Sequence, residues 1–327
     1  MGEGKRLPNK FKGENKMKTE IKALTKEIYH KSEVLPELLN YEQEIAVMAM
    51  GEEHKDAKLV EVLGYFEREN DELNGALTES LDRFRKDCLM INNLIKAEIS
   101  GKKGEEKAFN SLERLRYENR VIKNLELSNE ELSTEIDAVV ITKKGAFIVE
   151  VKNTRRDIFI DENGDYFRNG EFLVHDSNIA YKMQVKETLL REALDKLGYS
   201  GIKIFSIVVF TNRNVQVQNK YNGFKTCFLS QLHYIIDDWK TPVYLINRDL
   251  DTIGNALTET ALAVSYPMSF DTDAVKENFY TLLEEMQIAK SQPKKAKWLQ
   301  NIFTFFGSKT HKYAGAAAAA AIISTIG

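Results

Sequence analysis

The 327 residues are 43% hydrophobic and 29% charged with a net charge of −3, an ordinary soluble composition at a length that favours two modules. So small a net charge steers no partner by itself, and with Cys88 and Cys227 as the only cysteines, far apart and outside any Cys-x-x-Cys, neither a disulfide framework nor a zinc site is suggested. Lys5, Arg6, Lys10 and Lys12 are not followed by an apolar run, so no secretory signal is expected and a cytoplasmic location is.

From about residue 15 to 40, Ile21, Leu24 and Ile28 share a helical stripe that breaks near Leu35 and Pro36, as one arm of a helical hairpin would. A longer stripe follows in Leu63, Phe66, Asn70, Leu73, Leu77, Leu81, Phe84, Cys88, Ile91 and Ile95, spaced three or four apart almost throughout. It predicts a coiled-coil-like helix with Asn70 on its seam, either packed within the chain or forming a homo-oligomer. Gly64 and Gly75 weaken that helix by about 1 kcal/mol each relative to alanine. Gly101 and Gly104 punctuate its end, so residues 1–100 are read as a helical region.

Beyond that boundary the composition changes to short β-branched runs broken by turns. A helix is expected over about 104–117, with Ala108, Leu112 and Leu115 on one face, then a strand over 120–127. Residues 135–142 and 146–152 predict a hairpin joined by Lys143, Lys144 and Gly145, and Asp161–Gly164 and Asn169–Gly170 mark turns. A helix over 179–197, a buried strand over 202–210, a strand near 225–229, a helix capped by Ser230 and a further strand at 243–246 complete the pattern. The expectation is an α/β core over 101–265, a mixed sheet flanked by helices.

Residues 266–327 are read as a helical tail that is both basic and apolar. No acidic residue follows Glu285, whereas Lys290, Lys294, Lys295, Lys297, Lys309 and Lys312 do. Trp298, Leu299, Ile302, Phe303, Phe305 and Phe306 form a short amphipathic cluster of the kind that lies in a membrane interface. Residues 314–326 fall short of the roughly 20 that a spanning helix needs. A helix docked on the same protein, or on a partner protein, is the competing reading.

The chemistry concentrates at Asp137 and, thirteen residues later, Glu150-Val151-Lys152. A hard Mg²⁺ ion wants carboxylate oxygens converging from rigid elements, and alternation along a strand puts Glu150 and Lys152 on one face, against which the hairpin folds Asp137. Asp137, Glu150 and the Val151 carbonyl are the candidate metal ligands; Lys152 could orient the attacking water and meet phosphate charge. Glu-x-Lys alone is weak, since solvent-facing strands often alternate these residues. Here Phe147, Ile148, Val149 and Val151 make the strand apolar on both faces, and buried charges need a partner or a ligand. A structural ion pair is the rival explanation.

These residues resemble the nuclease-related domain (NERD) family of the PD-(D/E)XK nuclease superfamily, over roughly Gly101 to Trp239. Gly104-Glu105 is similar to the family's helix start, Glu135-Ile136-Asp137 to its acidic strand, and the run from Gly145 to Asn153 to its most characteristic strand. The resemblance implies a restriction-endonuclease-like mixed sheet and a metal-dependent nuclease acting on nucleic acid, DNA rather than RNA, with Mg²⁺ as cofactor and Mn²⁺ as an alternative. It assigns the metal and water roles to Asp137, Glu150 and Lys152 and adds Glu105 as a further acid, with Glu106 and a generally charged helix surface as the bland alternative. The family's Asn-Pro and following Gln are altered: Asn178 precedes Ile179, and the glutamine is Gln184, which could hold the site or a nucleic-acid backbone or simply face solvent. Arg155 and Arg156 could contact phosphates or form a surface turn. Defence of a bacterium against foreign DNA is a reading at the level of process, and a non-catalytic module binding nucleic acid or a partner is the alternative function.

Overall fold

The computed structural model describes residues 27–169, 174–243, 245–259 and 264–291. Of these, 42–90 and 271–291 form one compact unit and 27–41 and 91–270 another. Along the chain come β1 (Glu27–Ile28), α1 (Val34–Met50), α2 (Leu59–Glu72), α3 (Thr78–Leu112), β2 (Asn119–Ser128), β3 (Ser133–Thr142), β4 (Gly145–Lys152), β5 (Ile158–Ile160), β6 (Asp165–Arg168) and β7 (Val174–Asn178). Then follow α4 (Ile179–Lys196), β8 (Ile204–Phe210), β9 (Val217–Asn219), β10 (Lys225–Phe228), α5 (Leu232–Asp237), α6 (Asn247–Glu259), β11 (Tyr266–Pro267) and α7 (Thr272–Ser291).

In the helical unit the expected stripe is buried within one chain. Leu63, Phe66, Leu77, Leu81, Phe84 and Cys88 are all in the core, and the ring of Phe279 on α7 lies 6.3 Å from Phe66 and 5.3 Å from Phe84. The stripe is not one helix. Asn74 (φ 55) and Gly75 (φ 79) take the left-handed conformation that ends α2, and α3 begins at Thr78. Asn70, expected on a seam, instead closes this turn: its Oδ1 accepts the Leu77 N–H at 2.7 Å and its Nδ2 donates to Thr78 Oγ1 at 3.3 Å.

Other expectations change. Ile28 lies in β1, paired antiparallel with Tyr266, and α1 runs through Leu35 and Pro36, because a proline in a first turn lacks only an N–H that has no helical partner there. α3 passes through Gly101 and Gly104 unbroken; an interior glycine weakens a helix without ending it. Ser230 sits in a 3₁₀ turn ahead of a short α5, Phe228 N–H being taken by the Gln231 side chain, and the described residues near 243–246 form no strand. Ile21, Leu24, Gly170, and the amphipathic and apolar segments of the tail lie outside the described residues. No helix among those described is long and apolar enough to cross a membrane.

The other unit is a mixed α/β fold. Its main sheet has the order β10-β8-β4-β3-β2, with β10, β8 and β4 parallel and β4, β3 and β2 antiparallel. A smaller sheet has the order β7-β6-β5-β9, and β1 pairs with β11. Ile148 and Val139 pack on the layer that holds Met183 and Leu190 of α4 and Ile253 of α6. Phe147, Val149 and Val140 pack on the opposite layer, with Ala108 and Leu112 of α3 and Ile236 of α5. Helices thus cover both faces, which is why β4 is written with apolar residues at successive positions. The β3–β4 turn is tight enough to need Gly145: at φ 139, a Cβ there would stand 2.4 Å from the Lys203 carbonyl oxygen.

Candidate active site

The site is built where the regular sheet gives way. β2 and β3 pair up to Lys123↔Ala138 and resume at Leu125↔Ile136, skipping the position shared by Asn124 and Asp137. Asn124 takes φ 50, a left-handed conformation that asparagine tolerates better than most side chains. The β3–β4 ladder ends just short of the same place, at Ala138↔Val149. Beyond it, the Asp137 side chain replaces backbone pairing: its Oδ2 accepts the Val151 N–H at 2.6 Å.

Glu150 is the centre of the cluster and is 7% exposed. Its Oε1 accepts from Lys152 Nζ at 2.6 Å, and its Oε2 stands 2.6 Å from Lys186 Nζ, a charge pair rather than an aligned hydrogen bond. Lys186 comes from α4, is itself buried, and also donates to the Glu135 carbonyl oxygen. It lies on the stripe Ile179, Met183, Lys186, Leu190, four positions of one helical face that are all buried. A lysine in an apolar stripe was therefore the signal available in the sequence, and the motif-centred reading passed over it for Gln184.

The electrostatics follow from crowding two carboxylates and two lysines out of water. Burial first, and then the Glu150 charge, push the Asp137 carboxyl up to about 7, against the opposing pull of Lys186, the Val151 N–H and Lys152. Burial alone would raise Glu150 as well, but Lys152 and Lys186 hold it well below the usual carboxylate range. For Lys152, burial lowers the ammonium's proton affinity and the adjacent Glu150 more than restores it, so the net shift is upward. Burial likewise pushes Glu135, two residues before Asp137, up to about 7, and raises the nearby Tyr166 hydroxyl to about 12.

Glu105 reaches this neighbourhood because of the residue before it. A Cβ on Gly104 would stand 2.8 Å from that of Asn153 and 3.6 Å from Val151 Cγ1, so glycine lets α3 lie directly against the end of β4. Glu105 is then half-buried, with its carboxyl raised by burial and by the charges of Glu98 and Glu150. Glu106 points to solvent. Gln184 is exposed on α4, as are Arg155 and Arg156 after β4. The structure therefore brings together Asp137, Glu150, Val151 and Lys152, sets Glu105 beside them, and leaves Gln184 on the solvent face.

Among the described residues, no three His, Cys, Asp or Glu side chains are grouped to hold one metal ion. Asp137, Glu150 and the Val151 carbonyl offer two carboxylates and one further oxygen. Mg²⁺ is satisfied by one or two carboxylates while keeping several waters, and a carboxyl raised by burial and then by its neighbour's charge, as Asp137 is, gains from added positive charge. The donor set fits such an ion, with Lys186 as a cation already seated against one of the same oxygens.

Residues 100–211 match the family described as Nuclease-related domain, a span that contains Asp137, Glu150, Lys152, Glu105 and Lys186. No curated protein and no solved structure matches the chain.

Proposed function

We propose that this chain hydrolyses phosphodiester bonds of nucleic acid, DNA in preference to RNA, in a Mg²⁺- or Mn²⁺-dependent reaction of the PD-(D/E)XK type, a reading supported by the match of residues 100–211 to the nuclease-related domain. The observation that carries this reading is the convergence of Asp137, Glu150 and Lys152 where β3 and β4, two interior strands of the sheet, cease to pair. Asp137, Glu150 and the Val151 carbonyl would hold the ion. A divalent cation in such a site neutralises phosphate charge and acidifies a water molecule. Lys152 keeps its proton because of Glu150, so it acts as a donor that orients water and meets charge developing on a phosphate oxygen. Lys186 fixes the Glu150 carboxylate from the helix layer, and Glu105 supplies further negative charge at the mouth. Gln184, on the solvent face, is left the role of a contact to the nucleic-acid backbone.

A non-catalytic binding module is the second reading, and one observation favours it. Both Glu150 oxygens already face lysines, so the cluster is electrostatically closed without a metal. Plasmid cleavage in Mg²⁺, Mn²⁺ and EDTA, beside Glu150→Ala, separates the two. Cleavage that requires the metal and vanishes in the variant is expected; cleavage that persists in EDTA or in the variant removes the nuclease assignment from these residues, and none in either metal removes it from the chain. On the sequence alone we further propose a role in bacterial defence, a cytoplasmic setting, homo-oligomerisation through the helical region, and attachment of the tail to a membrane surface or a protein.

A further inference from the structure

Next to the site, at the far end of β4, lies an open groove of about 830 Å³ between α3 and the loop that follows β8. Lys96, Lys103, Lys107, Arg155 and Arg213 line it, and no acidic side chain does. Lys96, Ser100, Lys103 and Lys107 recur at helical spacing, so one face of α3 carries three ammoniums along about 16 Å of helix. All five cations are exposed, and none has an ion-pair partner among the described residues. Elsewhere in the same unit some basic side chains are paired, Arg116 with Asp237 and Asp238, Arg120 with Asp251 and Arg168 with Asp176 among them. Five like charges gathered without counter-charge repel one another, and a polyanion relieves that repulsion.

The floor of the groove is rigid and tied to the site. Asn153, the residue after Lys152, donates through Nδ2 to the Ser100 carbonyl oxygen at 2.7 Å and accepts from Thr211 Oγ1 at 2.8 Å. The Thr211 N–H donates to the Lys152 carbonyl oxygen at 3.1 Å, and Asn212 Nδ2 donates to the Thr154 carbonyl oxygen at 3.1 Å. Arg213 is thus carried on a loop fixed to the strand that bears Glu150 and Lys152. No aromatic side chain lines the groove, so it has no platform on which bases could stack.

We propose that this groove is a phosphate track that holds the backbone of duplex nucleic acid beside the site, without reading its sequence. The proposal rests on the nuclease reading for its substrate but not for its test. Neutralising up to five phosphates gives a log–log dependence of duplex affinity on salt with a slope of about −4 to −5, and each cation removed lowers it by about 1. The experiment is fluorescence anisotropy of the full chain with a labelled 20-bp duplex in EDTA, across a salt series, with a scrambled duplex and a matching single strand as comparisons.

Wild type is expected to bind both duplexes alike and more tightly than the single strand. Lys103→Gln/Lys107→Gln should lower the slope by about 2, and the further change of Lys96, Arg155 and Arg213 to Gln should abolish most of the salt dependence. Circular dichroism melts check that each variant is folded; the double variant alone decides the matter if the quintuple is not. A double variant with the wild-type slope, or a wild type that does not bind duplex or prefers single strands, overturns the proposal. Duplex binding with the expected slope in a chain that never cleaves would fail the nuclease reading and leave the track standing. Cleavage by a chain whose variants keep the wild-type slope would do the reverse.

Discussion

Two buried carboxylates in the α/β unit are equally hidden and differently used. Asp237 is 5% exposed and Glu150 7%. Asp237 is surrounded by aligned donors: the Arg116 N–H reaches both its oxygens at 3.2 Å and Arg116 Nε reaches Oδ2 at 3.1 Å, while the guanidinium continues to Asp238. That arrangement ties the end of α3 to α5 and leaves nothing over. Glu150 has two lysines, one oxygen without an aligned hydrogen bond, and a second carboxylate, Asp137, whose proton affinity it raises. A carboxylate that completes its own hydrogen bonds serves the fold; one crowded beside a like charge is, on the proposed function, the candidate to hold a ligand.

The largest effect that sharpens this contrast is kinetic. Lys152→Ala should slow metal-dependent cleavage by roughly a hundredfold or more while Mn²⁺ still binds by titration calorimetry, since the ammonium serves the reaction rather than the ion. Loss of Mn²⁺ binding together with the rate would make Lys152 part of the metal seat's architecture.

Next come the two carboxylates as structural elements. Asp237→Ala removes the acceptor of the Arg116 N–H and Nε and should lower the denaturation midpoint modestly, with cleavage kept, because the exposed Arg116 guanidinium retains Asp238. Glu150→Ala should also destabilise, because it leaves the buried Lys186 and the half-buried Lys152 without their counter-charge. If Lys186→Met in the Glu150→Ala background fails to recover part of that loss, the Lys186–Glu150 pair does not bear on stability.

Asp137→Asn should do the opposite and raise the melting temperature by a few degrees, with a definite pH dependence. The folded carboxyl titrates near 7 and the unfolded one near its ordinary value of 3.8. Between these values the native state binds the extra proton, so this group's contribution to stability falls as pH rises from about 4 to about 7. The gain from Asp137→Asn should therefore be small at pH 4 and full at pH 8; a gain independent of pH would mean that Asp137 is not crowded. The same shift predicts Mn²⁺ binding that strengthens between pH 6 and 8. Smallest is Asn70→Ala, which removes the side-chain cap of the α2–α3 turn and should cost about 1 kcal/mol, with no change in cleavage.

Much of this was legible in the residues. The strands over 119–152, the long α4 and the buried β8 follow from β-branched runs and helical spacing, and the motif residues meet because a hairpin can bring together only what its register allows. The Leu63–Ile95 stripe shows the limit: spacing of three and four survives across a turn, so periodicity could not tell one helix from two, and only the Asn74-Gly75 pair carries the break. Gly104 pointed the other way, a glycine kept inside a helix for close approach to β4 rather than to end it. The stripe Ile179, Met183, Lys186, Leu190 marks Lys186 as a buried lysine, but its partners, Glu150 and the Glu135 carbonyl oxygen, lie across the contact between α4 and the sheet, which no local pattern encodes.

The central claim is that crowding at Glu150 exists to hold a divalent ion, and its most direct measurement is the Mg²⁺-dependent rate of plasmid cleavage by Glu150→Gln beside Asp237→Asn. In each variant the amide keeps the shape of the carboxylate and removes its charge, so both can be compared folded at low temperature. The account predicts cleavage lowered roughly a thousandfold in Glu150→Gln and within a few-fold of wild type in Asp237→Asn. Equal rates in wild type and Glu150→Gln, with both folded, would contradict it.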